Sequence, residues 1–397
     1  MADVEGGVAA KPGVAYRVGS ITKTFTAAVV LGLADRDVLA LDAPVGRYLP
    51  GTPFAQVPLR MVLAHCGGLP REVPGDMWSS MRGPGPRELR EAFAAVEPVA
   101  RPGERWHYSN LGYAVLGQVV AAAAGASCSE LIRSLLWRPL GMAGTAWSRP
   151  EGAAVGYRVD PYADVVHREP DMDQGAVGVG GQAWSTVEDL LVWGDALAGG
   201  APEVVSSAVV EAMHTLHVMV DRDGWTCGWG LGLILDRRGS RVMAGHTGAM
   251  PGFLAGLSLD RRTRTVAVAL SNATHGVAAG RIATDLVHEL ADQASTGGLS
   301  GPWVPAASVP EHLVGVLGRW WSEADETVVV WRGGALRAWL ASAPETASET
   351  VFEQVGSDRY RAVSGRLAGE VLQVLRDASG EVVGLEWATY PFTRSPR

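Results

Sequence analysis

The sequence predicts an α/β (α+β) protein in which an antiparallel sheet is flanked by helices, followed by a small C-terminal all-β domain. Three observations carry this expectation. Five stretches place apolar residues at three-and-four spacing, the helical period. Strand-like runs joined by short turns occupy residues 241–272, and strand-like pieces dominate the chain beyond residue 310.

At 397 residues the chain exceeds what one core usually serves, so two domains are expected. The first spans residues 1–292. Residues 293–310 read as a linker, because the segment from Asp292 to Pro310 ("DQASTGGLSGPWVPAASVP") is rich in Gly, Ser and Pro with little periodicity. Residues 311–397 form the second domain. Helices are expected over residues 21–34, 111–124, 129–137, 186–198 and 280–293. Strands are expected over residues 241–245, 252–260 and 265–272, the last two forming a hairpin around residues 261–264. In the tail, residues 326–340 read as two strands around Arg332-Gly333-Gly334, and residues 370–390 as two more around residues 377–380. No solenoid-like repeat is evident.

Composition excludes several functions. A hydrophobic share of 47% with 19% charged residues supplies a core and argues against disorder. A net charge of −8 with no basic run excludes a nucleic-acid partner. No run of eighteen apolar residues predicts a membrane span. The start, "MADVEGGVAAKPG", lacks a positive n-region and an apolar h-region, so the chain as written reads as cytoplasmic. Cys66, Cys128 and Cys227 are too scattered for a disulfide framework or zinc site, and each reads as a buried thiol. No metal or cofactor is expected. Residues 175–181 ("GAVGVGG") lack the order of a dinucleotide loop, and neither a P-loop lysine nor a Gly-x-Ser-x-Gly elbow occurs.

Three stretches carry candidate chemistry. Only two lysines occur, and one of them, Lys23, stands three residues after Ser20 at the start of a helix apolar on nearly all sides. Residues three apart share a helix face. A lysine buried there must be paired or lose its proton, which an arginine cannot do. A desolvated, neutral amine can take the proton of a serine hydroxyl. A Ser-x-x-Lys tetrad also arises by chance, and a serine there also suits a helix cap. Tyr108-Ser109-Asn110 precedes the second apolar helix, where Ser109 or Asn110 can cap it and the Tyr108 phenol can shuttle a proton. His246-Thr247-Gly248 ends a strand-like run, where glycine permits a substrate to approach the strand's N–H groups. A lone histidine is more often structural.

Ser-x-x-Lys, Tyr-x-Asn and His-Thr-Gly in this order resemble the serine β-lactamase and penicillin-binding-protein superfamily, in particular its class C-like branch of D-amino peptidases, esterases and penicillin-binding-type thioesterases. Further segments look like landmarks of that family in family order: "LRMVLAHCGGLP" (59–70), "RPLGMAGTAW" (138–147), "GGQAWSTVEDLLVWGDAL" (180–197) and "GWGLGL" (228–233). The resemblance covers residues 16–290. The tail after residue 304 is similar to the lipocalin-like domains appended to many such proteins.

The resemblance implies that Ser20 is the nucleophile of an acyl-enzyme, activated by Lys23 and Tyr108. The backbone N–H groups of Ser20 and Ala249 would hold the oxyanion, along the substrate strand Thr247-Gly248-Ala249. Asn110 would orient the substrate amide and Lys23. His246 replaces the usual lysine near the substrate carboxylate or the tyrosine, which implies a weaker, pH-dependent grip and argues against a dedicated β-lactamase. The implied function is a serine hydrolase acting on an ester or amide, with a small molecule or a D-amino-acid-containing peptide as acyl substrate. The alternatives are a penicillin-binding-type thioesterase or acyltransferase that cyclises peptides, and a non-catalytic penicillin-recognising binding protein. Oligomeric state is left open. Family members carry a helix and two strands before the nucleophile, whereas nineteen residues precede Ser20, so these elements are expected to be missing here. With a longer N-terminus the expected location becomes secreted or periplasmic.

Overall fold

A computed structural model describes residues 1–160, 165–274, 276–298, 309–332, 334–343 and 348–396. The chain divides into two units, Met1–Ser300 and Gly301–Arg397.

The first unit is built on a six-stranded antiparallel meander: β1 (Val218–Met219), β2 (Cys227–Trp229), β3 (Ile234–Arg238), β4 (Arg241–Met250), β5 (Phe253–Asp260) and β6 (Thr265–Ser271). Alternation and turn chemistry make β4 and β5 a hairpin. Pro251 and Gly252 form its two-residue loop, with Gly252 at φ +79°, a value that side chains disfavour. The expected strand 241–245 runs on to Met250, so His246-Thr247-Gly248 lies within the strand. Strands β1 to β3 are two to five residues long, with Gly228 inside β2, and their periodicity did not stand out in the sequence.

Four helices frame this sheet: α1 (Thr22–Ala34), α2 (Asn110–Ala124), α3 (Val187–Leu197) and α4 (Ala279–Gly298). Gly194 of α3 packs against Val266 and Leu257, whereas Gly256 packs against Ala279 of α4. Consecutive strand residues face opposite sides, so α3 and α4 cover opposite faces of the sheet. Helix α1 is buried from Thr22 to Leu31, as its all-round apolarity predicts. Phe25 sits between Trp137 and Trp193, with ring centroids 5.5 and 4.7 Å away.

The expected helix over residues 129–137 is present, as an α-helical turn, Cys128–Ile132, continued by a wider π-turn, Arg133–Trp137, after a Ser127/Glu130 capping box. Two expectations need correction. Helix α4 continues to Gly298, so residues 293–298 of the expected linker are helical, and residues 299–308 lie outside the described residues. Cys66 and Cys128 are buried, but Cys227 is half-exposed on its short strand. Among the described residues no single helix is long and apolar enough to cross a membrane.

The second unit is an eight-stranded antiparallel meander: β7 (Gly318–Ser322), β8 (Asp325–Arg332), β9 (Ala335–Leu340), β10 (Thr350–Gly356), β11 (Arg359–Ala362), β12 (Val371–Arg376), β13 (Val382–Trp387) and β14 (Tyr390–Phe392). Both expected hairpins are present, although Gly333 of the first lies outside the described residues. Trp321 and Thr393 exchange backbone hydrogen bonds of 2.8 and 2.9 Å, bringing the first and last strands together in a nearly closed, lipocalin-like barrel. Trp320 is buried at its end, donates to the Val316 carbonyl at 2.7 Å, and lies 3.7 Å beneath the Arg394 guanidinium.

Candidate active site

A short strand, Tyr16–Arg17, pairs with Trp184–Ser185 and delivers the chain to a single 3-10 turn, Gly19–Ile21. Gly19 has φ +51°, and a Cβ there would stand 2.7 Å from the Ala249 nitrogen. Only glycine lets the turn bearing Ser20 approach β4 this closely. The turn runs directly into α1, which places Lys23 one helical step below Ser20.

Lys23 is fully buried, and its Nζ donates to Ser20 Oγ at 2.9 Å, Asn110 Oδ1 at 2.7 Å and the Gly180 carbonyl at 2.7 Å. Burial pushes its pKa from 10.5 down to about 7, against a smaller opposing pull from Glu72. The three partners are not equivalent. An amide or peptide oxygen only accepts, whereas a serine hydroxyl can also donate. When the ammonium becomes an amine, the bond to Ser20 is therefore the one that reverses, and the serine proton then points at the nitrogen lone pair.

Tyr108 lies across this pair, with Lys23 Nζ 5.0 Å from its ring centroid. Burial pushes the phenol's pKa up, opposed by a hydrogen bond with Ser20. The phenol is thus protonated in the resting site, and Lys23 is the group whose proton is labile near neutrality. The His65 ring stacks on Tyr108 at 4.4 Å, and its Nδ1 accepts from the Ser109 N–H at 3.0 Å. Ser109 caps α2, accepting from the Gly112 N–H at 2.8 Å, which resolves the choice of cap. Asn110 is thereby free to face the site, receiving from Lys23 and donating Nδ2 to Glu72 Oε1 at 2.7 Å.

On β4, Thr247 and Ala249 are exposed, while His246 and Gly248 are buried. A Cβ on Gly248 would stand 2.0 Å from the Val18 carbonyl and 3.2 Å from the Ser20 nitrogen. Met250 and Phe253 flank the hairpin loop and exchange hydrogen bonds, so the next pair, Ala249 and Leu254, does not. The Ala249 N–H is directed away from β5, beside the Ser20 turn. Two backbone N–H groups thus border one point next to the nucleophile.

His246 differs from expectation. It is 2% exposed, its Nδ1 lies 2.6 Å from the Thr247 carbonyl, and burial together with the Lys23 charge lowers its pKa to about 3. Walled by Trp229, with ring centroids 5.5 Å apart, it is neutral across the physiological range. The pH-dependent cationic grip on a carboxylate is therefore not available to it.

Ser20, Tyr108, Asn110 and residues 246–249 line a cleft of about 920 Å³ whose further walls include Arg71, Glu72, Trp78, Trp106, Trp229 and Arg281. None of the six stood out in the sequence as a site residue. Arg71 and Glu72 directly follow the segment 59–70, and Trp229 lies within 228–233. Their segments were legible, but no spacing marked the residues. Gly180, likewise in a recognised segment, contributes its carbonyl rather than a side chain.

Comparison with known proteins supplies the family. The "Beta-lactamase" family model matches residues 1–292, and a domain of unknown function, DUF7586, matches residues 309–394. Penicillin-binding protein 4* of Bacillus subtilis is 24% identical over 256 residues, covering 60% of this chain and 56% of that protein. The D-alanyl-D-alanine-carboxypeptidase/endopeptidase AmpH of Escherichia coli is 28% identical over 203 residues, covering 45% and 47%. The chain thus spans about half the length of these curated relatives. Among solved structures, the D-amino acid amidase of Ochrobactrum anthropi is 25% identical with a TM-score of 0.64, over 74% of this chain and 88% of that one. SurE with D-Leu is 26% identical with a TM-score of 0.59, over 100% of this chain and 91% of that one. A D-stereospecific amidohydrolase from Streptomyces sp. is 26% identical, with a TM-score of 0.59, over 66% and 82%. A serine and a buried lysine in contact at the start of a core helix, strand β4 running beside them, and a family match over residues 1–292 lead to one assignment: the chain belongs to the β-lactamase and penicillin-binding-protein-like superfamily of serine hydrolases.

Proposed function

We propose that this chain hydrolyses an ester or amide of a D-amino acid residue through an acyl-enzyme on Ser20. The observation that carries the reading is Lys23, buried, with its pKa near neutrality and hydrogen-bonded to Ser20 and to two groups that can only accept. In the amine form Lys23 takes the Ser20 proton as Oγ attacks the substrate carbonyl. The new C–O bond forms, the carbonyl electrons move onto oxygen, and the N–H groups of Ser20 and Ala249 hold that oxyanion. Collapse breaks the bond to the leaving group, which receives the proton from Lys23 by way of the Tyr108 hydroxyl. Water then repeats the sequence on the acyl-enzyme and regenerates Ser20. Asn110 fixes the Lys23 amine in line. The D-configuration is supported by the relatives, whose names specify D-amino acid or D-alanyl substrates, or a D-amino acid bound.

Intact mass after exposure to a fluorophosphonate tests the nucleophile: the wild type gains one adduct and Ser20→Ala none. Equal labelling of the two removes the assignment. Turnover of D- against L-phenylalanine p-nitroanilide then tests the substrate. Stoichiometric acylation without turnover would instead make the protein a penicillin-recognising binding module, and a cyclic product from a peptidyl thioester would make it an acyltransferase.

A further inference from the structure

Resting on that reading, we propose that His65 is a positioning residue for the proton-transfer step. It grips the three successive residues 107–109, and so holds the Tyr108 phenol against Ser20, while carrying no proton itself.

Tyr108 needs such a support. It sits in an irregular segment, residues 105–109, that belongs to no helix or strand, so no backbone ladder fixes its ring. His65 meets this segment at three points. Its carbonyl accepts from the His107 N–H at 2.7 Å, its ring stacks on Tyr108 with centroids 4.4 Å apart, and its Nδ1 accepts from the Ser109 N–H at 3.0 Å. Ser109 caps α2, so the same grip fixes the point at which Asn110 enters the helix. The Trp229 indole, edge-on at 4.9 Å, and the Tyr113 ring at 5.2 Å hold the imidazole in turn.

An imidazole at this place carries two costs. His65 closes the short helix Leu59–Leu63: the Cys66 N–H donates to the Met61 carbonyl at 2.9 Å, and the His65 N–H to the Val62 carbonyl at 3.2 Å. That pattern puts His65 at the left-handed position, φ +57°, where glycine is the usual residue. The ring is also 1% exposed, and its Nε2 meets no hydrogen-bond partner among the described residues. Glycine would suit the backbone better, and phenylalanine would fill the space without a buried polar atom. Neither offers an acceptor to Ser109 together with a flat ring against Tyr108. The same contacts keep the imidazole out of the proton path. A nitrogen that accepts from a backbone N–H carries no proton, so the neutral ring holds its proton on Nε2. Protonating Nδ1 would break the Ser109 bond, and burial, with the Lys23 charge nearby, holds the pKa well below the ordinary histidine range.

The step that depends on Tyr108 is transfer of its proton to the leaving nitrogen as the C–N bond breaks, with Lys23 returning a proton to the phenol. A p-nitroanilide requires that proton, whereas p-nitrophenolate departs as the anion. The readout is therefore kcat/KM for D-phenylalanine p-nitroanilide divided by kcat/KM for the p-nitrophenyl ester of the same acyl group, a ratio in which acyl binding and Ser20 activation cancel. His65→Gly, which relieves the backbone but removes ring and acceptor, should lower this ratio by about 100-fold, the low end of general-acid catalysis. His65→Asn tolerates the left-handed turn and keeps an acceptor for Ser109, so it should recover about a tenfold part of that loss. In a Tyr108→Phe background, His65→Asn should leave the ratio unchanged within about twofold, because the group it positions is gone. Equal loss on both substrates, which a merely structural residue would give, overturns the inference, as does a further fall of the ratio in the Tyr108→Phe background. If the glycine variant does not fold, His65→Asn and His65→Phe, each keeping one contact, decide by the same ratio. In the wild type, nitrogen NMR shifts of the His65 ring should show the Nε2–H tautomer, and an Nδ1–H ring overturns the inference. Any of these failures leaves the hydrolase reading intact while Ser20 labels with a fluorophosphonate. Failure of Ser20 to label overturns that reading itself.

Discussion

Replacing Lys23 with arginine keeps a positive charge and hydrogen-bond donors but removes the ability to give up a proton. Burial brings the lysine from 10.5 to about 7. At about 1.36 kcal/mol per unit that is a desolvation cost of order 5 kcal/mol, and it leaves roughly half the molecules with a free amine at neutrality. An arginine starts above about 12, so reaching the same state at pH 7 costs of order 7 kcal/mol, and its rigid fork does not match three convergent acceptors. General-base catalysis is worth about 10²- to 10⁴-fold. The assay is the rate of Ser20 acylation by a fluorophosphonate from about pH 5.5 to about 9. In the wild type the rate rises with pH as Lys23 loses its proton, with a midpoint near its pKa of about 7. In Lys23→Arg that midpoint disappears and the rate falls by about 100-fold or more. A variant within about threefold of wild type, with the same pH profile, would refute the proton-acceptor role.

Gly248→Ala forces a Cβ to within 2.0 Å of the Val18 carbonyl, pushing β4 off the Ser20 turn. Loss of the Ala249 donor should lower kcat by a factor matching about 2.7–4 kcal/mol, and a normal kcat in steady-state assays would show that the oxyanion is held elsewhere. Lys23→Met should be inactive yet more stable at low pH. Between about 7 and 10.5 the unfolded chain binds a proton that folded Lys23 has released, so wild-type stability rises with pH across that window and carries the full cost below it. Against this stands the orphaned Gly180 carbonyl, worth about 1–3 kcal/mol, so a net gain of about 2–4 kcal/mol is expected near pH 6. Urea denaturation at several pH values checks it, and a difference between the two proteins that does not shrink with rising pH would count against a buried, perturbed lysine. In the second unit, Trp320→Ala should cost about 3–5 kcal/mol by emptying the barrel end and unseating Arg394, read as a shift in the unit's thermal or denaturant midpoint.

Much of the architecture was legible because local patterns and burial agree. The run after Ser20 is apolar on every face, and α1 is buried on every face. Both hairpins of the tail pair where Gly and Asp residues interrupt the strand pattern. Where local signals competed, the sequence left the outcome open. Ser109 and Asn110 are equally good caps, and the choice fell to Ser109 because its hydroxyl also reaches the Pro70 carbonyl at 2.6 Å, which releases Asn110 to the site. The helical continuation through residues 293–298 likewise overrides a composition that favours a loop.

The sequence by itself determined the order of chemical groups: a serine with a lysine one helical step away, then tyrosine and asparagine at a helix start, then a histidine and threonine before a glycine. Spacing along one helix fixes contacts between near neighbours, so Ser20 and Lys23 could be read directly. The tertiary structure alone decided what those groups are. It buried Lys23 to a pKa of about 7, raised Tyr108, and silenced His246 as a cation. It also brought Glu72 and the Gly180 carbonyl to the site from segments with no spacing relation to Ser20. Desolvation is set by everything that surrounds a group, and that environment exists only once distant segments have packed together.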